Sequence, residues 1–279
     1  MTPDNVTPQL AGKRIVVTGA SSGIGRAIAE AAAAAGADVL VTFRANREAI
    51  GQVVSAIKAR GRRAVAVQAD VASEKDLDRV VQQVDESFGG ADGWVNNAGA
   101  DVLTGNGRSL SREAKLDLLL AVDLRGTMLA SWRAADLFNL QDDGGTILNM
   151  SWDHVSRGLA RENPQLFAAV KGGVEAFSRS LARTVAPRVR VNILSPGWIT
   201  TAFGNEAPEE FRQRVAQRVP LGRWGLPEDV ASAAVYLLSD AARYVTGQTI
   251  MINGGDVMQG RPAVRPGIPS PHPRTARSD

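Results

Sequence analysis

The segment LFAAVKGG, residues 166–173, holds a phenylalanine and a lysine whose spacing bears on catalysis. Phe167 and Lys171 are four residues apart, so on a helix they share one face. Phe167 has neither a hydrogen-bond donor nor an acceptor and cannot act as an acid or a base. It also extends an apolar stripe that continues at helical spacing along residues 170–185. That stripe by itself explains a phenylalanine at this position.

A second segment with chemical potential, NMSWDH at residues 149–154, follows a predicted strand. Its His154 is one of two histidines in the chain. An imidazole, whose ordinary pKa is about 6.5, suits proton transfer near neutral pH. Asp153 is a candidate to orient the ring, although neighbours in sequence need not point the same way. A histidine exposed on a loop, or one that caps a helix, is the structural alternative.

Short apolar runs alternate with helical patterns over most of the chain. Runs of Val, Ile and Leu are typical of strands buried on both faces, and regular strand–helix alternation predicts a parallel sheet with helices on both sides. We predict an α/β fold, a single-domain, Rossmann-like, doubly wound parallel sheet of about seven strands. The predicted strands are 14–18, 38–43, 63–68, 92–96, 145–150, 189–194 and 248–253. The predicted helices are 24–35, 46–60, 73–88, 111–139, 165–186 and 227–239.

Three glycines stand where the first predicted strand turns into a helix, in TGASSGIGR at residues 18–26. Gly19, Gly23 and Gly25 permit positive φ and let the backbone come close to a pyrophosphate. The helix that starts near Ile24 directs free N–H groups and its positive dipole end at that anion. The strand before it and the helix after it make this pattern predict a dinucleotide site. A glycine-rich turn that binds nothing is the alternative.

The motif TGASSGIG resembles the TGxxxGxG fingerprint of the short-chain dehydrogenase/reductase family. Further resemblances follow in order, namely Asp70 after the third strand, NNAG at 96–99 and PGWITT at 196–201, and the likeness covers roughly residues 11–256. It implies that Asp70 holds the adenine, that 96–99 packs beside the cofactor and that 196–201 lines the nicotinamide. The cofactor-binding residues it implies are Gly19, Ser21, Ser22, Gly23, Ile24, Gly25, Asp70, Val71, Asn97, Ala98, Gly99, Lys171, Pro196, Gly197, Ile199 and Thr201.

The end of the second strand, VLVTFRANRE, bears on which dinucleotide is bound. A carboxylate there binds the ribose 2′-OH, whereas an arginine suits a 2′-phosphate. Phe43 stands where the carboxylate is expected and Arg44 follows it. A guanidinium binds phosphate through two parallel hydrogen bonds. We therefore predict NADP(H) over NAD(H), with Arg44 as a ligand and Arg47 as a second candidate cation. Two solvated arginines on a loop are the alternative.

The resemblance also implies a catalytic set of Asn, Ser, Tyr and Lys, the last two spaced as YxxxK. In this family the tyrosine exchanges a proton with the substrate, the lysine holds the nicotinamide ribose and the serine positions the substrate oxygen. Here Lys171 is retained, Phe167 replaces the tyrosine and Asp123 replaces the asparagine. Ser151 stands sixteen residues before Phe167, which implies a lengthened loop, and Trp152 takes the place of a second serine.

These substitutions leave three functions open. The first is an NADP(H)-dependent oxidoreductase for carbonyl reduction or alcohol oxidation with atypical acid–base residues. The second is a non-redox enzyme on the same fold, such as a dehydratase, isomerase or cyclase. The third is a dinucleotide-binding pseudoenzyme. The predicted catalytic residues are Ser151, His154, Lys171 and Asp123, the predicted substrate pocket contains Trp152, Asp153, Phe167 and Trp198, and no metal is predicted.

Composition and charge bound the remaining possibilities. The chain has no cysteine, which excludes a disulfide framework, a cysteine nucleophile and a thiolate metal site. Its net charge of +3 equals the surplus of four arginines over one aspartate between residues 261 and 279. We predict an N-terminal tail over 1–11, one domain over 12–258 with a substrate lid at about 202–220, and a disordered Pro/Arg-rich tail over 259–279.

Partners are predicted on the same grounds. We expect a small-molecule substrate, flat or aromatic because Trp152 and Trp198 are predicted to face the pocket. We expect neither nucleic acid nor membrane as a partner, and a cytoplasmic location. The family resemblance implies a homodimer or homotetramer formed through the long helices at 111–139 and 165–186.

Overall fold

The computed structural model describes residues 9–257 of the chain. Residues 1–8 of the predicted N-terminal tail and the whole of the predicted disordered tail, 259–279, lie outside the described residues. The strands are Arg14–Val17 (β1), Asp38–Phe43 (β2), Ala64–Gln68 (β3), Gly93–Asn96 (β4), Gly145–Met150 (β5), Val189–Pro196 (β6) and Thr249–Ile252 (β7). Within the described residues they form one parallel sheet in the order β3-β2-β1-β4-β5-β6-β7.

Helices cover both faces of this sheet. They are Gly23–Ala34 (α1), Arg47–Lys58 (α2), Glu74–Phe88 (α3), Arg112–Leu119 (α4), Thr127–Leu140 (α5), Glu162–Val185 (α6), Ala202–Glu206 (α7), Glu209–Arg218 (α8) and Pro227–Leu238 (α9). One apolar cluster joins α1, α2 and α9 to the sheet. A second cluster joins α3, α5 and α6 to it. The predicted α/β, Rossmann-like, doubly wound fold is therefore confirmed.

Local sequence signals explain where several helices begin and end. Asn46 accepts a hydrogen bond from the N–H of Ala49 at 2.9 Å and so caps the start of α2. Ser73 caps α3 through the N–H of Asp76 at 3.3 Å. Gly89 ends α3 in the left-handed conformation, with φ of 68°, which glycine adopts at little cost. These caps fix the start of α2, between β2 and β3, and both ends of α3, between β3 and β4.

The predicted helix over 111–139 is interrupted, which corrects the expectation of one continuous α-helix. A π-helical segment, Leu120–Gly126, separates α4 from α5. Inserted turns of this kind concentrate at functional sites because they redirect side chains. This one carries Asp123, whose carboxylate reaches the N–H of Ala100 at 2.8 Å. The segment also ends at Gly126, where a β-carbon would lie 3.0 Å from the carbonyl oxygen of Val71.

The segment over 202–220, predicted as a substrate lid, contains two helices in the structure, α7 and α8. α8 begins directly after Pro208, with Glu209 and Glu210 in its first turn and Arg218 in its last. This charge arrangement suits the helix dipole. Among residues 9–257, none of the helices combines the length and the hydrophobicity that a membrane-spanning helix requires.

Candidate functional site

The glycine-rich turn after β1 is packed tightly against the loop after β4. Gly19 has φ of 65°, and a β-carbon on it would lie 2.7 Å from the Cα of Ala98. A β-carbon on Gly25 would overlap the side-chain amide of Asn97 and the carbonyl oxygen of Gly19. Close approach therefore requires glycine at both positions, and at Gly19 the positive φ requires it as well.

Asn97 holds this turn through its side chain. Its Nδ2 donates to the carbonyl oxygens of Thr18 and Gly19, each at 3.0 Å. The Thr18 hydroxyl in turn accepts hydrogen bonds from the N–H groups of Asn97 and Ala98, each at 3.0 Å. The predicted cofactor residues of the first and fourth strands thus form one hydrogen-bonded unit.

The first turn of α1 fits an anion. Its residues, Gly23–Gly25, include no acidic side chain, and within the described part of the chain the Ser22 side chain makes no capping hydrogen bond. The N–H groups there are consequently not occupied by a capping side chain. Thr201, from the loop after β6, lies beside the same turn, with its Cγ2 3.4 Å from where a Gly23 β-carbon would stand. Two of the predicted cofactor segments therefore meet at this point.

The residues predicted to select the dinucleotide lie at the ends of β2 and β3. Phe43 is 4% exposed and belongs to the apolar core, whereas Arg44 is exposed directly after it. The N–H of Asp70 donates to the Asp76 carboxylate at 2.9 Å. That hydrogen bond, helped by Arg79, holds the pKa of the Asp76 carboxyl below its ordinary value. The loop after β3, predicted to hold the adenine, is thus fixed by a side chain of α3.

Lys171 and Asp123 form a buried ion pair between α6 and the π-helical segment. Nζ of Lys171 lies 2.8 Å from Oδ2 of Asp123 and 3.3 Å from the carbonyl oxygen of Met150. Oδ1 of Asp123 accepts the N–H of Ala100. The replacement of asparagine by aspartate therefore gives the retained lysine a charged partner. The structure brings these two predicted catalytic residues into direct contact.

Ser151 faces a different partner. Its hydroxyl donates to Oε1 of Glu175 at 2.9 Å in the interior, and Glu175 is paired in turn with Arg179 at 2.6 Å. The serine proton is thereby committed to a carboxylate on α6. The structure does not bring the Ser151 side chain into hydrogen-bond contact with Lys171 or His154 among the described residues.

His154 is oriented by its neighbour Asp153. Nδ1 of His154 lies 2.7 Å from Oδ1 of Asp153, and Oδ2 of Asp153 accepts a hydrogen bond from Asn253 at 3.1 Å. The histidine is 6% exposed and the aspartate is fully buried. Within residues 9–257 the other ring nitrogen, Nε2, has no hydrogen-bond partner, and its nearest carboxylate is Asp256 at 3.8 Å.

Aromatic rings enclose His154 on several sides. Trp152 stacks on it with ring centroids 5.0 Å apart, and Trp198 meets it edge-on at 6.2 Å. Phe167 lies 6.2 Å from Trp152 and also packs against the small apolar cluster of Val102, Leu119 and Val170. The structure therefore brings all four predicted pocket residues and His154 into one group of side chains.

The loop after β6 reaches the same group. The N–H of Gly197 donates to the carbonyl oxygen of Ile252 at 3.0 Å. A β-carbon on Gly197 would lie 2.9 Å from Oδ2 of Asp153. Pro196 and Ile199 are buried on either side of it. The predicted nicotinamide segment thus runs from the histidine to the glycine-rich turn.

Sequence reasoning missed Asp256. Its Oδ2 accepts the indole N–H of Trp198 at 3.0 Å, and Arg218 bonds both of its oxygens, at 2.7 and 2.6 Å. Asp153, His154 and Asp256 present ligand atoms within 4.8 Å of one another, a spacing that a metal ion can bridge. Because Arg218 already supplies a positive charge to Asp256, we interpret this carboxylate as a partner of Arg218 and Trp198 rather than as a metal ligand. No signal in the sequence linked residues so far apart.

Comparison with known proteins places the chain in a family. A family model described as enoyl-(acyl carrier protein) reductase matches residues 19–256. The chain is 38% identical over 256 residues to 3beta-hydroxysteroid dehydrogenase 1 of Eggerthella lenta, covering 88% of this chain and 94% of that protein. It is 34% identical over 247 residues to the 3-oxoacyl-[acyl-carrier-protein] reductase FabG of Staphylococcus aureus, covering 88% and 98%.

A solved structure agrees with these relatives. The crystal structure of a short chain dehydrogenase from Burkholderia cenocepacia in complex with NADP has a TM-score of 0.80 and 35% sequence identity, covering 89% of this chain and 99% of that one. The protein therefore belongs to the short-chain dehydrogenase/reductase family and is an oxidoreductase of that type. The predicted family is confirmed.

Proposed function

We propose that the protein is an NADP(H)-dependent oxidoreductase that interconverts a carbonyl and an alcohol with His154 in place of the usual tyrosine. The observation that carries this proposal is the buried Asp153–His154 pair at 2.7 Å. Its geometry is that of a base oriented by a carboxylate, with the second ring nitrogen left to act. It lies in the loop after β5, at the ligand-facing end of the sheet.

The residues present fit a dinucleotide. The close approach of Gly19 to Ala98 leaves a turn without β-carbons in front of α1, where the uncapped N–H groups suit a pyrophosphate. Arg44 suits a 2′-phosphate because it is exposed and its guanidinium has no ion-pair partner in the part of the chain that the structure describes. When bound, the nicotinamide supplies the hydride chemistry.

The other predicted cofactor residues have supporting roles in this proposal. Lys171, held by Asp123, hydrogen-bonds the nicotinamide ribose. Asp70 and Val71 border the adenine, Asn97–Gly99 pack beside the cofactor, and Pro196–Thr201 line the nicotinamide. Ser21 and Ser22 border the phosphates.

His154 exchanges the proton at the substrate oxygen. We assign this role to His154 rather than to Ser151 because the Ser151 hydroxyl already donates to Glu175 at 2.9 Å. Asp153 keeps the proton of the neutral ring on Nδ1, so Nε2 is the nitrogen that accepts a proton from an alcohol. In the reverse direction the protonated ring donates from Nε2 to the carbonyl oxygen. Phe167 contributes a wall of the pocket.

The aromatic surroundings bear on the substrate. Trp152, Trp198 and Phe167 present ring faces and edges around His154, which favours a flat or aromatic small molecule. The segment 202–220 covers the pocket as a lid in this proposal. Trp198 supports this role because it contacts Phe203 and Phe211 of that segment.

Exposed apolar side chains support the assembly that the family resemblance implies. Leu120 and Trp132, on the long helical region before β5, are 39% and 44% exposed. Large apolar side chains exposed on such helices favour an interface with a second copy. We propose a homodimer or homotetramer, to be tested by light scattering with Trp132→Glu as the disrupting variant. The cytoplasmic location stays a prediction.

The cofactor is tested by calorimetry with NADPH, NADP, NADH and NAD. We expect selective binding of NADP(H), weakened at least about tenfold by Arg44→Ala, since one charge-assisted bond to phosphate contributes about 1.5–3 kcal/mol. Arg60→Ala, which changes an exposed arginine beyond the end of α2, is the control. Equal affinity for NADPH in the Arg44 variant contradicts this assignment.

The proton role is tested by turnover of flat ketones with the preferred cofactor. His154→Ala is expected to lower kcat by about 100-fold or more while dinucleotide binding is retained. Phe167→Tyr is expected to raise kcat by less than about tenfold because the acid is already present. Unchanged turnover in His154→Ala removes this residue from the mechanism. A large gain in Phe167→Tyr, together with that result, identifies a missing phenol as the cause of low activity.

A further inference from the structure

Asp256 has a buried carboxylate that accepts three hydrogen bonds from two side chains. Its side chain is 2% exposed. Arg218 bonds it through Nε and Nη2, and Trp198 donates to it through the indole N–H. The bidentate geometry is that of a strong charge-assisted pair. A carboxylate this deeply buried is costly without such a partner.

Arg218 joins the segment 202–220 to the body of the protein. It is the last residue of α8, and its side chain is 42% exposed. Its guanidinium also lies 5.7 Å from the ring centroid of Trp198, which adds a cation–π contact. Displacement of α8 from the pocket therefore takes the positive charge away from Asp256.

The same carboxylate faces His154. Oδ2 of Asp256 is 3.8 Å from Nε2 of the ring, while Asp153 lies on the Nδ1 side. Arg218 stands behind Asp256 on α8, and the fourth polar neighbour, Asn253, is neutral. Two carboxylates therefore flank the ring, and one guanidinium pairs with the second of them. With Arg218 present, Asp256 is balanced; without it, two negative charges face one imidazole.

We propose that Arg218 and Asp256 are positioning residues that make the proton chemistry of His154 depend on the closed state of segment 202–220. In the closed arrangement Arg218 hydrogen-bonds both oxygens of Asp256, so Nε2 of His154 remains available to the substrate. When α8 withdraws, Asp256 attracts a proton to Nε2 and holds the ring as an imidazolium between two carboxylates. The electrostatic coupling stands on the geometry alone. Its consequence for turnover rests on the proposed function.

The coupling is tested without substrate, by an NMR pH titration of the full chain. The second histidine, His272, is replaced by glutamine so that one imidazole signal remains. In this background Arg218→Ala is expected to raise the pH at which His154 is half protonated by about one pH unit or more, as expected for exposing a charge about 4 Å away. Arg218→Ala combined with Asp256→Asn is expected to bring it back to near the starting value. Arg218→Lys is expected to give a smaller rise than Arg218→Ala.

Arg214→Ala is the matched control. Arg214 lies one turn earlier on α8 and pairs at 2.7 Å with Glu210 on the surface, so its removal leaves the His154 titration unchanged. An unchanged titration in Arg218→Ala, with the fold intact by circular dichroism, overturns the proposal. A shift that persists in the double variant also overturns it, because it does not then act through Asp256.

Kinetics separate this proposal from the proposed function. If both hold, the pH profile of kcat/KM, which reports the free enzyme, moves with the NMR titration in Arg218→Ala and returns in the double variant. A titration that moves while the pH profile of kcat/KM stays fixed supports the coupling and contradicts proton transfer by His154. The two ideas therefore fail through different measurements.

Discussion

The glycine-rich turn after β1 and the loop after β5 lie at the same edge of the sheet and are held by different kinds of contact. The turn is held by backbone proximity, with Gly19 against Ala98 and a single amide side chain bonding two carbonyls. The loop is held by side chains, with His154 on Asp153 and Asp153 on Asn253, one hundred residues away.

Because the contacts differ, the two regions are expected to tolerate different substitutions. A backbone-built turn depends on the absence of β-carbons, and almost any addition collides with it. A side-chain network depends on charges and donors being matched, and removal of one member leaves the others buried without a partner. Substitutions that distinguish these two failures test the comparison directly.

The largest effect is expected where a side-chain network is cut. Lys171→Met leaves the carboxylate of Asp123 buried, since their side chains are only 11% and 3% exposed. We expect a loss of about 3–5 kcal/mol in the free energy of unfolding, measured by urea denaturation. The double variant Lys171→Met with Asp123→Leu is expected to recover part of it, because no lone charge remains. If the double variant is less stable than the single one, the pair is not the source of the effect.

In the glycine-rich turn after β1, a steric clash is expected to lower the free energy of unfolding by less than the loss of the ion pair does. A β-carbon on Gly25 meets the backbone oxygen of Gly19 and the amide that holds it. Gly25→Ala is expected to destabilise the fold by about 1–3 kcal/mol and to lower NADPH affinity by about 100-fold in calorimetry. Gly51→Ala is the control, since no atom lies within 4 Å of its β-carbon and alanine favours helix α2. Wild-type affinity in Gly25→Ala contradicts the close-packed interpretation.

The sequence predicted the turn well because its signal is local. Gly19, Gly23 and Gly25 lie between a strand and a helix that adjoin them in sequence, so their role can be predicted without a tertiary structure. The same holds for the seven strands, which follow short apolar runs, and their bounds differ from the predicted ones by two residues at most.

The contacts of the loop after β5 were harder to predict from the sequence, because its partners lie far away along the chain. His154 and Asp153 were recognised as ionisable neighbours, but Asp256 and Arg218 have no local pattern that points to them. Arg218 also suits the basic end of a surface helix, so nothing in the sequence singled it out. Ser151 was predicted from the family resemblance, and its bond to Glu175 depends on how α6 is turned. The π-helical segment likewise was not predicted, because the sequence pattern over 111–139 indicated one continuous helix.

At the start of α6, one substitution is expected to stabilise the protein, whereas the substitutions above are expected to destabilise it. Arg161 has φ of 111° and ψ of 168°, a region in which glycine alone is comfortable and others are strained by about 1–3 kcal/mol. Arg161→Gly is therefore expected to stabilise the protein by about 1 kcal/mol in urea denaturation, even though glycine loses more entropy on folding. Arg161→Ala, which keeps the β-carbon, is the control and is expected to give no gain. An equal gain in both variants assigns the effect to the guanidinium instead of the backbone.

The smallest effect on stability is expected at Asp76. This residue combines the two kinds of contact, because its side chain holds the backbone of the loop after β3. It accepts the N–H of Asp70 at 2.9 Å, and this bond holds its pKa below the ordinary value of 3.8. A carboxyl with a lowered pKa stabilises the fold above that ordinary value, and the stabilisation is lost as the pH falls through the lower pKa of the folded state. Asp76→Asn is expected to cost a few tenths of a kcal/mol at pH 7, since solvent screens this partly exposed group.

The difference between wild type and Asp76→Asn is measured by urea denaturation from neutral pH down to about pH 3. It is expected to be constant near neutrality and to shrink in the acid range, because the protonated wild-type carboxyl then resembles the uncharged amide. Asp78→Asn, on the same helix but paired with Arg133 at 2.7 Å, is the matched control for the loss of a surface carboxylate. A difference that stays constant through the acid range assigns the effect of Asp76 to the shape of its hydrogen bond rather than to its charge, and the loop after β3 then belongs with the backbone-built turn.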